Sequence, residues 1–218
     1  MYKTKRMTTM ALLCALSYIV MFFSRFLPPL FAAFPFLKYD PKDAIIVIGG
    51  FLYGPMAAFA ISLVVSVIEM VTVSGTHIIG CIMNIAASCA FGCTASVFYS
   101  RTRSIKGGVT GLLAGCVCAV ATMMVLNYAL TPIYTGMPRP AVASLLIPAI
   151  LPFNIIKCVL NSSLAMIIYK PVVNILRRSG IAELRGGGEN KSQSNIPIVL
   201  TAIFLIVVCI VATMIINR

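Results

Sequence analysis

Long apolar stretches separated by short polar segments dominate this chain of 218 residues. A helix that crosses a bilayer needs about 20 predominantly apolar residues. Hydrophobic residues make up 60% of the sequence and charged residues 10%, whereas soluble domains average about 45–50% and about 25%. The sequence therefore predicts an all-α membrane protein. The candidate spans are Thr8–Phe23, Ala44–Tyr53, Pro55–Val73, Ile78–Tyr99, Val109–Leu130, Leu146–Leu176 and Ile196–Ile216.

The stretch from residue 44 to residue 73 is too long for one crossing. As a single helix it would extend about 45 Å, against a hydrocarbon core of about 30 Å. Gly54-Pro55 interrupts the stretch, and proline disfavours helix in the residue before it. We therefore predict a short second helix, a tight turn and a full third helix.

The basic residues indicate topology. With a cytoplasmic N-terminus and alternating spans, most of them fall on the cytoplasmic side, as the positive-inside rule requires. The net charge of +12 therefore indicates a multi-pass protein of the cell membrane and not a partner of nucleic acid. The cytoplasmic set is Lys3, Lys5, Arg6, Arg101, Arg103, Lys106, Lys170, Arg177, Arg178, Arg185 and Lys191.

Composition divides the chain into three parts. Residues 1–178 are expected to form a six-helix membrane domain. Residues 179–195 are polar and glycine-rich, which is typical of a flexible linker, here a cytoplasmic one. Residues 196–218 are predicted to form an additional C-terminal transmembrane helix, a lipid-facing anchor with little chemistry of its own.

Several functional classes lack their motifs in this sequence. There is no G-x-x-x-x-G-K-[ST] phosphate loop, so the chain is not its own ATPase. His77 is the single histidine and the eight cysteines have no C-x-x-C spacing, so we expect no metal site and buried free thiols. Five acidic residues leave little material for acid–base catalysis. We expect no enzyme activity and no cofactor.

Four polar residues within the spans are candidate ligand contacts. Asn154 and Lys157 lie one helical turn apart and share a face, while Asn84 and Asn127 lie towards the outer ends of their spans. Together they offer amide donors and acceptors and one ammonium group. The alternative is structural, because Asn side chains also bond across helices and lysine can reach the interface. Glu69, near the outer end of the third span, could pair with a basic residue or contact substrate.

The first outer loop, Ser24–Asp43, is rich in proline and aromatic residues. It is expected to fold back over the bundle as a lid that covers an apolar ligand. The alternative is a segment that lies among the lipid headgroups. In the first span, Ala11 and Ala15 form a small-x-x-x-small pattern, which lets another helix approach closely.

In order and spacing, these features resemble the riboflavin-binding S components of energy-coupling factor (ECF) vitamin transporters, over about residues 5–178. Two features depart from the family: the loop reads Asp40-Pro41-Lys42-Asp43 where a more hydroxyl-rich stretch is expected, and a seventh span follows the usual six. The pieces that carry the resemblance are Ala11-x-x-x-Ala15, the loop end Phe36–Asp43, Gly54-Pro55, Gly80-x-x-x-Asn84, Asn127-Tyr128 and Leu151–Lys157.

The resemblance implies a high-affinity riboflavin-binding subunit of an ECF-type ABC importer, with FMN as a possible second ligand. Riboflavin would be the transported ligand and not a cofactor. The partners would be a transmembrane coupling subunit, which packs on Ala11 and Ala15, and two cytoplasmic ATPase subunits. The implied ligand-binding residues are Asn154, Lys157, Asn127, Asn84, Lys38, Tyr39 and Asp40.

Two other functions remain open from the sequence. One is an S component for a different vitamin, which would keep the fold and change the ligand. The other is a stand-alone secondary permease, which would need coupling ions and an acidic relay that Glu69 alone would have to supply.

Overall fold

The computed structural model describes residues 2–31, 34, 37–178 and 196–216, and the regular structure in these ranges is helical. One short π-helical segment joins α6 to α7. The helices are α1 (Tyr2–Ser24), α2 (Lys42–Tyr53), α3 (Pro55–Thr72), α4 (His77–Thr102), α5 (Ile105–Thr135), α6 (Arg139–Leu145), the π segment (Leu146–Ile150), α7 (Leu151–Arg178) and α8 (Ile196–Ile216).

Five helical segments of the described chain are long and apolar enough to cross a membrane, and a shorter apolar helix covers Val199–Met214. This agrees with the all-α membrane architecture expected from the sequence. The long segments are Lys3–Ser24, Pro55–Thr72, His77–Thr102, Ile105–Thr135 and Arg139–Leu176.

The predicted break at Gly54-Pro55 is confirmed. Gly54 has φ 90°, a left-handed conformation that glycine adopts without steric cost. Pro55 is the first residue of α3, where its missing N–H would have no helical partner in any case. The predicted start of α2 at Ala44 is wrong, because the helix begins at Lys42. Lys42 and Asp43 therefore belong to the bundle and not to the loop.

Helix α2 is the central element of the bundle. It contacts α1, α3, α4 and α7, and its residues from Lys42 to Gly50 are buried. Its twelve residues extend about 18 Å, so α2 is too short to cross a bilayer of about 30 Å alone. A helix that is apolar on all sides is stable only inside a bundle, which explains this position.

Helices α4 and α5 make the most extensive interhelical contact of the described chain. Gly111 and Gly115 of α5 lie against the backbone of α4. A Cβ atom built on Gly111 would lie 2.6 Å from the carbonyl oxygen of Ala95, and one on Gly115 would lie 2.6 Å from that of Phe91. Small residues at this spacing allow two helix backbones to approach closely in a membrane. This glycine pair was not predicted from the sequence.

A π-helical turn precedes the segment that carries Asn154 and Lys157. It covers Leu146–Ile150 and contains Pro148, whose ring lacks the N–H of a regular helix. Such turns shift the helix face by one residue and occur often at functional sites. Here the turn sets the direction in which the first residues of α7 face the bundle.

The C-terminal helix α8, predicted to be a lipid-facing anchor, also has a face that packs against α7. Ala202 is fully buried and Cys209 is buried, and small side chains permit close helix contact. Cys209 belongs to one apolar cluster with Phe31 of the first loop and Phe153 of α7. The opposite face of α8 is exposed. The predicted linker 179–195 lies outside the described residues.

We predict that Gly111→Ala and Gly115→Ala each destabilise the bundle. The added methyl group would press on a backbone carbonyl that cannot rotate away, and overpacking of this kind costs about 1–3 kcal/mol. Thermal unfolding of the purified variants in detergent would measure the loss. Gly108→Ala is the matched control on the same helix, because its Cβ would meet only Tyr99 Cδ2 at 3.7 Å. Equal stability of all three variants would contradict the close α4–α5 contact.

Candidate functional site

A cavity of about 280 Å³ lies at the end of the bundle where α1 ends and α2 begins. Its size is near the lower end of the range for small-molecule pockets, about 300–1,000 Å³. The wall is formed by the first loop, the end of α3, the α3–α4 turn, α4, α5 and α7. All seven predicted ligand-binding residues line it: Lys38, Tyr39, Asp40, Asn84, Asn127, Asn154 and Lys157.

The cavity wall combines apolar surface with amide groups. Asn127 and Asn154 are almost fully buried. Their side-chain nitrogens donate to the carbonyl oxygens of Met123 and Ile150 respectively, each at 2.8 Å and each within the same helix. The Asn127 oxygen also accepts from the Thr131 hydroxyl at 3.0 Å. An amide has two N–H donors and an oxygen with two lone pairs, so each of the two side chains keeps one N–H and at least one lone pair for a further bond. The apolar lining consists of Leu37, Met83, Met123 and Phe153.

Lys157 lines the cavity and pairs with a carboxylate from α2. Its Nζ lies 3.4 Å from Oδ2 of Asp43, and Oδ1 of Asp43 accepts a hydrogen bond from Ser88 at 2.5 Å. The Lys157 side chain is 15% exposed, so the ammonium group lies in the bundle and does not reach the membrane surface. The pair joins α2 to α7 and fixes where the Lys157 ammonium group stands.

A second ion cluster lies beside the first. Glu69 of α3 accepts hydrogen bonds from Arg25 through Oε1 and from Lys42 through Oε2. Lys42 Nζ also lies 2.8 Å from Oδ2 of Asp40. Lys42 is fully buried and Glu69 is 1% exposed. An unpaired charge at such a position would be strongly unfavourable, and the two clusters engage every acidic residue of the described chain.

Asn161 of α7 holds the last part of the first loop. Its side-chain nitrogen donates to the carbonyl oxygen of Asp40 at 3.1 Å, and its oxygen accepts from the Tyr39 hydroxyl at 3.3 Å. Burial, followed by the Asp40 and Asp43 carboxylates, raises the pKa of Tyr39, which keeps the hydroxyl protonated as a donor. Burial acts to raise the pKa of Asp40, but Lys42 and Lys157 outweigh it and the pKa lies below its usual value.

The described part of the first loop folds onto the bundle. Phe31 and Leu37 are 1% and 6% exposed, and the Phe31 ring meets the Phe153 ring edge to face at a centroid distance of 6.1 Å. Phe26 and Leu27 remain exposed at the start of the loop. This placement favours the lid interpretation over a segment spread among headgroups. Phe36, which the resemblance includes, lies outside the described residues.

Sequence reasoning missed four residues of the site: Lys42, Asp43, Ser88 and Asn161. Lys42 and Asp43 were assigned to the loop. The signal that could have placed them is the rarity of acidic residues, because an acid directly before an apolar run has to find a cation inside the bundle. Asn161 lies one helical turn after Lys157 and thus on the same face of α7.

Ala11 and Ala15 lie away from the cavity, near the middle of α1. Both are exposed, as are the neighbouring Leu12, Leu16 and Ile19. Small side chains here leave a shallow apolar surface on which a second helix could pack closely.

A cavity with amide groups and ion-paired side chains in its wall, set in a bundle of apolar helices, is what a membrane-embedded binding protein for a small solute requires. The family model described as "ECF transporter, substrate-specific component" matches residues 5–169, and the chain belongs to this family. It is therefore the membrane component that sets the substrate of a transporter, and not an enzyme. Helix α8 lies beyond the matched residues.

Curated relatives cover most of the chain. The "Riboflavin transporter RibU" of Staphylococcus aureus (strain TCH60) is 28% identical over 187 residues, which is 82% of this chain and 95% of the relative. The "Riboflavin transporter FmnP" of Bacillus subtilis (strain 168) is 27% identical over 193 residues, with coverages of 82% and 99%. A solved S component of a bacterial ECF transporter matches with a TM-score of 0.68 and 28% identity, covering 81% of this chain and 99% of that one.

We predict that Asp43→Asn lowers stability by about 3 kcal/mol, the order of cost for leaving one partner of a buried ion pair uncompensated. Ser88→Ala should cost only about 1 kcal/mol, because it removes one hydrogen bond. The double variant Asp43→Asn/Lys157→Met should lose less than the sum of its single variants. Thermal unfolding in detergent, without ligand, completes this double-mutant cycle. Strict additivity would mean that Asp43 and Lys157 do not interact.

Proposed function

We propose that this chain is the riboflavin-binding S component of an ECF-type importer, with high affinity for its ligand. The observation that carries the proposal is the convergence of seven residues, chosen from the sequence alone, on one cavity. Relatives named as riboflavin transporters, alike over about four fifths of the chain, support the choice of ligand.

The cavity suits the chemistry of a flavin. The ring system is flat and largely apolar, and one edge carries alternating carbonyl groups and ring nitrogens. Met83, Met123 and Phe153 offer apolar surface to the ring. Asn127 and Asn154 can pair donor and acceptor with its polar edge, and Lys157 can donate to a carbonyl. A buried polar atom left unpaired costs about 1–3 kcal/mol, so these contacts select the ligand.

A negatively charged ligand such as FMN is the less favoured alternative. The three cations and three carboxylates in the two ion clusters balance, so the bottom of the cavity carries no excess positive charge for a phosphate group. Lys38, at the exposed rim, is the cation best placed to meet a phosphate.

Transport requires partners that supply energy. We propose a transmembrane coupling subunit that packs on Ala11 and Ala15, together with two cytoplasmic ATPase subunits. We also propose a cytoplasmic N-terminus, because Arg6, Arg101, Arg103, Lys106 and Lys170 all lie at the end of the bundle opposite the cavity, in keeping with the positive-inside rule. The cavity then faces the outside, where the vitamin is captured.

The ion pairs of Glu69 argue against a stand-alone permease. A proton or ion relay needs an acid that is free to change partners, whereas both oxygens of Glu69 accept from cations. The alternative of an S component for another vitamin has the same fold, so measurements of ligand binding decide between it and riboflavin.

We predict that the chain purified from riboflavin-replete cells carries near-stoichiometric flavin. Lys157→Ala and Asn154→Ala should each weaken riboflavin binding at least about tenfold, the effect of losing about 1.4 kcal/mol of interaction. Quenching of riboflavin fluorescence on titration would measure the affinity, and flavin released by denaturation would measure the occupancy.

Asn174→Ala and Lys170→Ala are the matched controls, since both residues lie on α7 far from the cavity and are exposed. They should bind riboflavin as the unmodified chain does. If the folded, unmodified chain neither carries nor binds flavin, riboflavin is excluded and a screen of other vitamins follows. Unchanged affinity in both cavity variants would exclude the proposed contacts.

We predict that Ala15→Leu abolishes vitamin uptake by cells while riboflavin binding by the purified chain is preserved. The larger side chain would separate the coupling subunit from α1 without touching the cavity. Ala121→Leu, at an exposed position of α5, is the control and should support normal uptake. Normal uptake by Ala15→Leu would place the coupling surface elsewhere.

A further inference from the structure

The two ends of the first loop meet on one carboxylate. Arg25 is the first residue after α1, and Lys42 is the first residue of α2. Arg25 Nη2 donates to Oε1 of Glu69, and Lys42 Nζ donates to Oε2 of the same side chain. Residues 26–41, which contain the wall residues Lys38, Tyr39 and Asp40, lie between these two anchor points.

The ion pairs that Glu69 forms with Arg25 and Lys42 are strongly favoured because they lie inside the bundle. Glu69 is 1% exposed and Lys42 is fully buried, so each needs a counter-ion at close range. Lys42 also holds the loop through Asp40, whose Oδ1 accepts from the Lys42 backbone N–H at 3.1 Å. If the loop moved away from α3, these buried charges would lose their partners together.

The middle of the loop is held by contacts of a different kind. Phe31 and Leu37 share an apolar cluster with Phe153 and Ile156 of α7 and with Cys209 of α8. Apolar contacts can shift with little loss as long as the surface stays covered, whereas the hydrogen bonds within these ion pairs require a narrow range of distance and angle. The contacts of Arg25 and Lys42 therefore hold the two ends of the loop more firmly than the apolar contacts hold Phe31 and Leu37.

We propose that Glu69 is a positioning residue that clamps both ends of the first loop and thereby sets how fast ligand enters and leaves the cavity. The ligand-exchange part of this inference rests on the proposed function. Glu69 also lines the cavity, but its two oxygens are committed to Arg25 and Lys42. It acts on the ligand through the loop.

The test uses the full chain in detergent with the variants Glu69→Gln, Arg25→Gln and Arg25→Lys. Arg139→Gln is the matched control, because Arg139 is an exposed arginine at the start of α6, outside both ion clusters. The first readout needs no ligand: the rate at which endoproteinase Lys-C cuts after Lys38, an exposed residue of the loop, followed by mass spectrometry. None of these substitutions removes a Lys-C site, and Arg25→Lys adds one after residue 25, so only the products of cleavage after Lys38, identified by their mass, are compared.

Cleavage after Lys38 is expected to accelerate at least about fivefold in Arg25→Gln, the factor for losing about one kcal/mol, and further in Glu69→Gln. Arg25→Lys, which keeps a cation, and Arg139→Gln should be cut like the unmodified chain. The midpoint of thermal unfolding should change little in Arg25→Gln, since its side chain is 33% exposed. The second readout, the dissociation rate of riboflavin, should follow the same order.

Unchanged cleavage in Arg25→Gln and Glu69→Gln would overturn the proposal, even if riboflavin dissociated faster, because Glu69 would then act by direct contact. If Glu69→Gln does not fold, the rates of cleavage after Lys38 in Arg25→Gln and Arg25→Lys are sufficient to test the proposal. Accelerated cleavage in a chain that binds no riboflavin would support the role of Glu69 in holding the loop and reject riboflavin as the ligand. A failure of this inference can therefore be told apart from a failure of the proposed function.

Discussion

Charge pairing in a low-dielectric interior is the constraint on which the rest of this structure depends. Three acidic residues, Asp40, Asp43 and Glu69, meet three cations within the described bundle. None of these groups can lie in the bundle alone without a large desolvation penalty. The pairing therefore fixes the start of α2, the base of the first loop and the position of the Lys157 ammonium group at the same time.

Close helix contact provides the frame that makes this pairing possible. Gly111 and Gly115 bring α5 against the backbone of α4, and the short α2 fills the centre of the bundle. The π turn before Leu151 then directs the first residues of α7 towards α2. Amide groups from α4, α5 and α7 consequently face one cavity, which is the arrangement a substrate-specific transport component needs.

Four of the cavity residues have a local signal in the sequence, whereas Lys38, Tyr39 and Asp40 were implied only by the family resemblance. Asn154 and Lys157 are polar within an apolar run, and helical periodicity alone puts them on one face. The burial of Lys42 and Asp43 was not predicted, because a helix start within a charged segment has no clear local signature. Their contacts with Glu69, Lys157 and Ser88 in the folded bundle show that both side chains lie inside it. Helix α8 was predicted to be a lipid-facing anchor, and its uniformly apolar sequence does not indicate which face packs on α7.

The sequence by itself determined the class of protein, the break at Gly54-Pro55 and the polar residues that could bind a ligand. These follow from hydrophobic run length, backbone chemistry and periodicity, which are properties of neighbouring residues. The tertiary structure alone decided that Glu69 pairs with both Arg25 and Lys42. It also decided that Asp43 pairs with Lys157 and that Cys209 of α8 packs in the apolar cluster with Phe31 of the first loop. Those contacts join residues far apart in the chain, so they exist only once packing has brought the helices together.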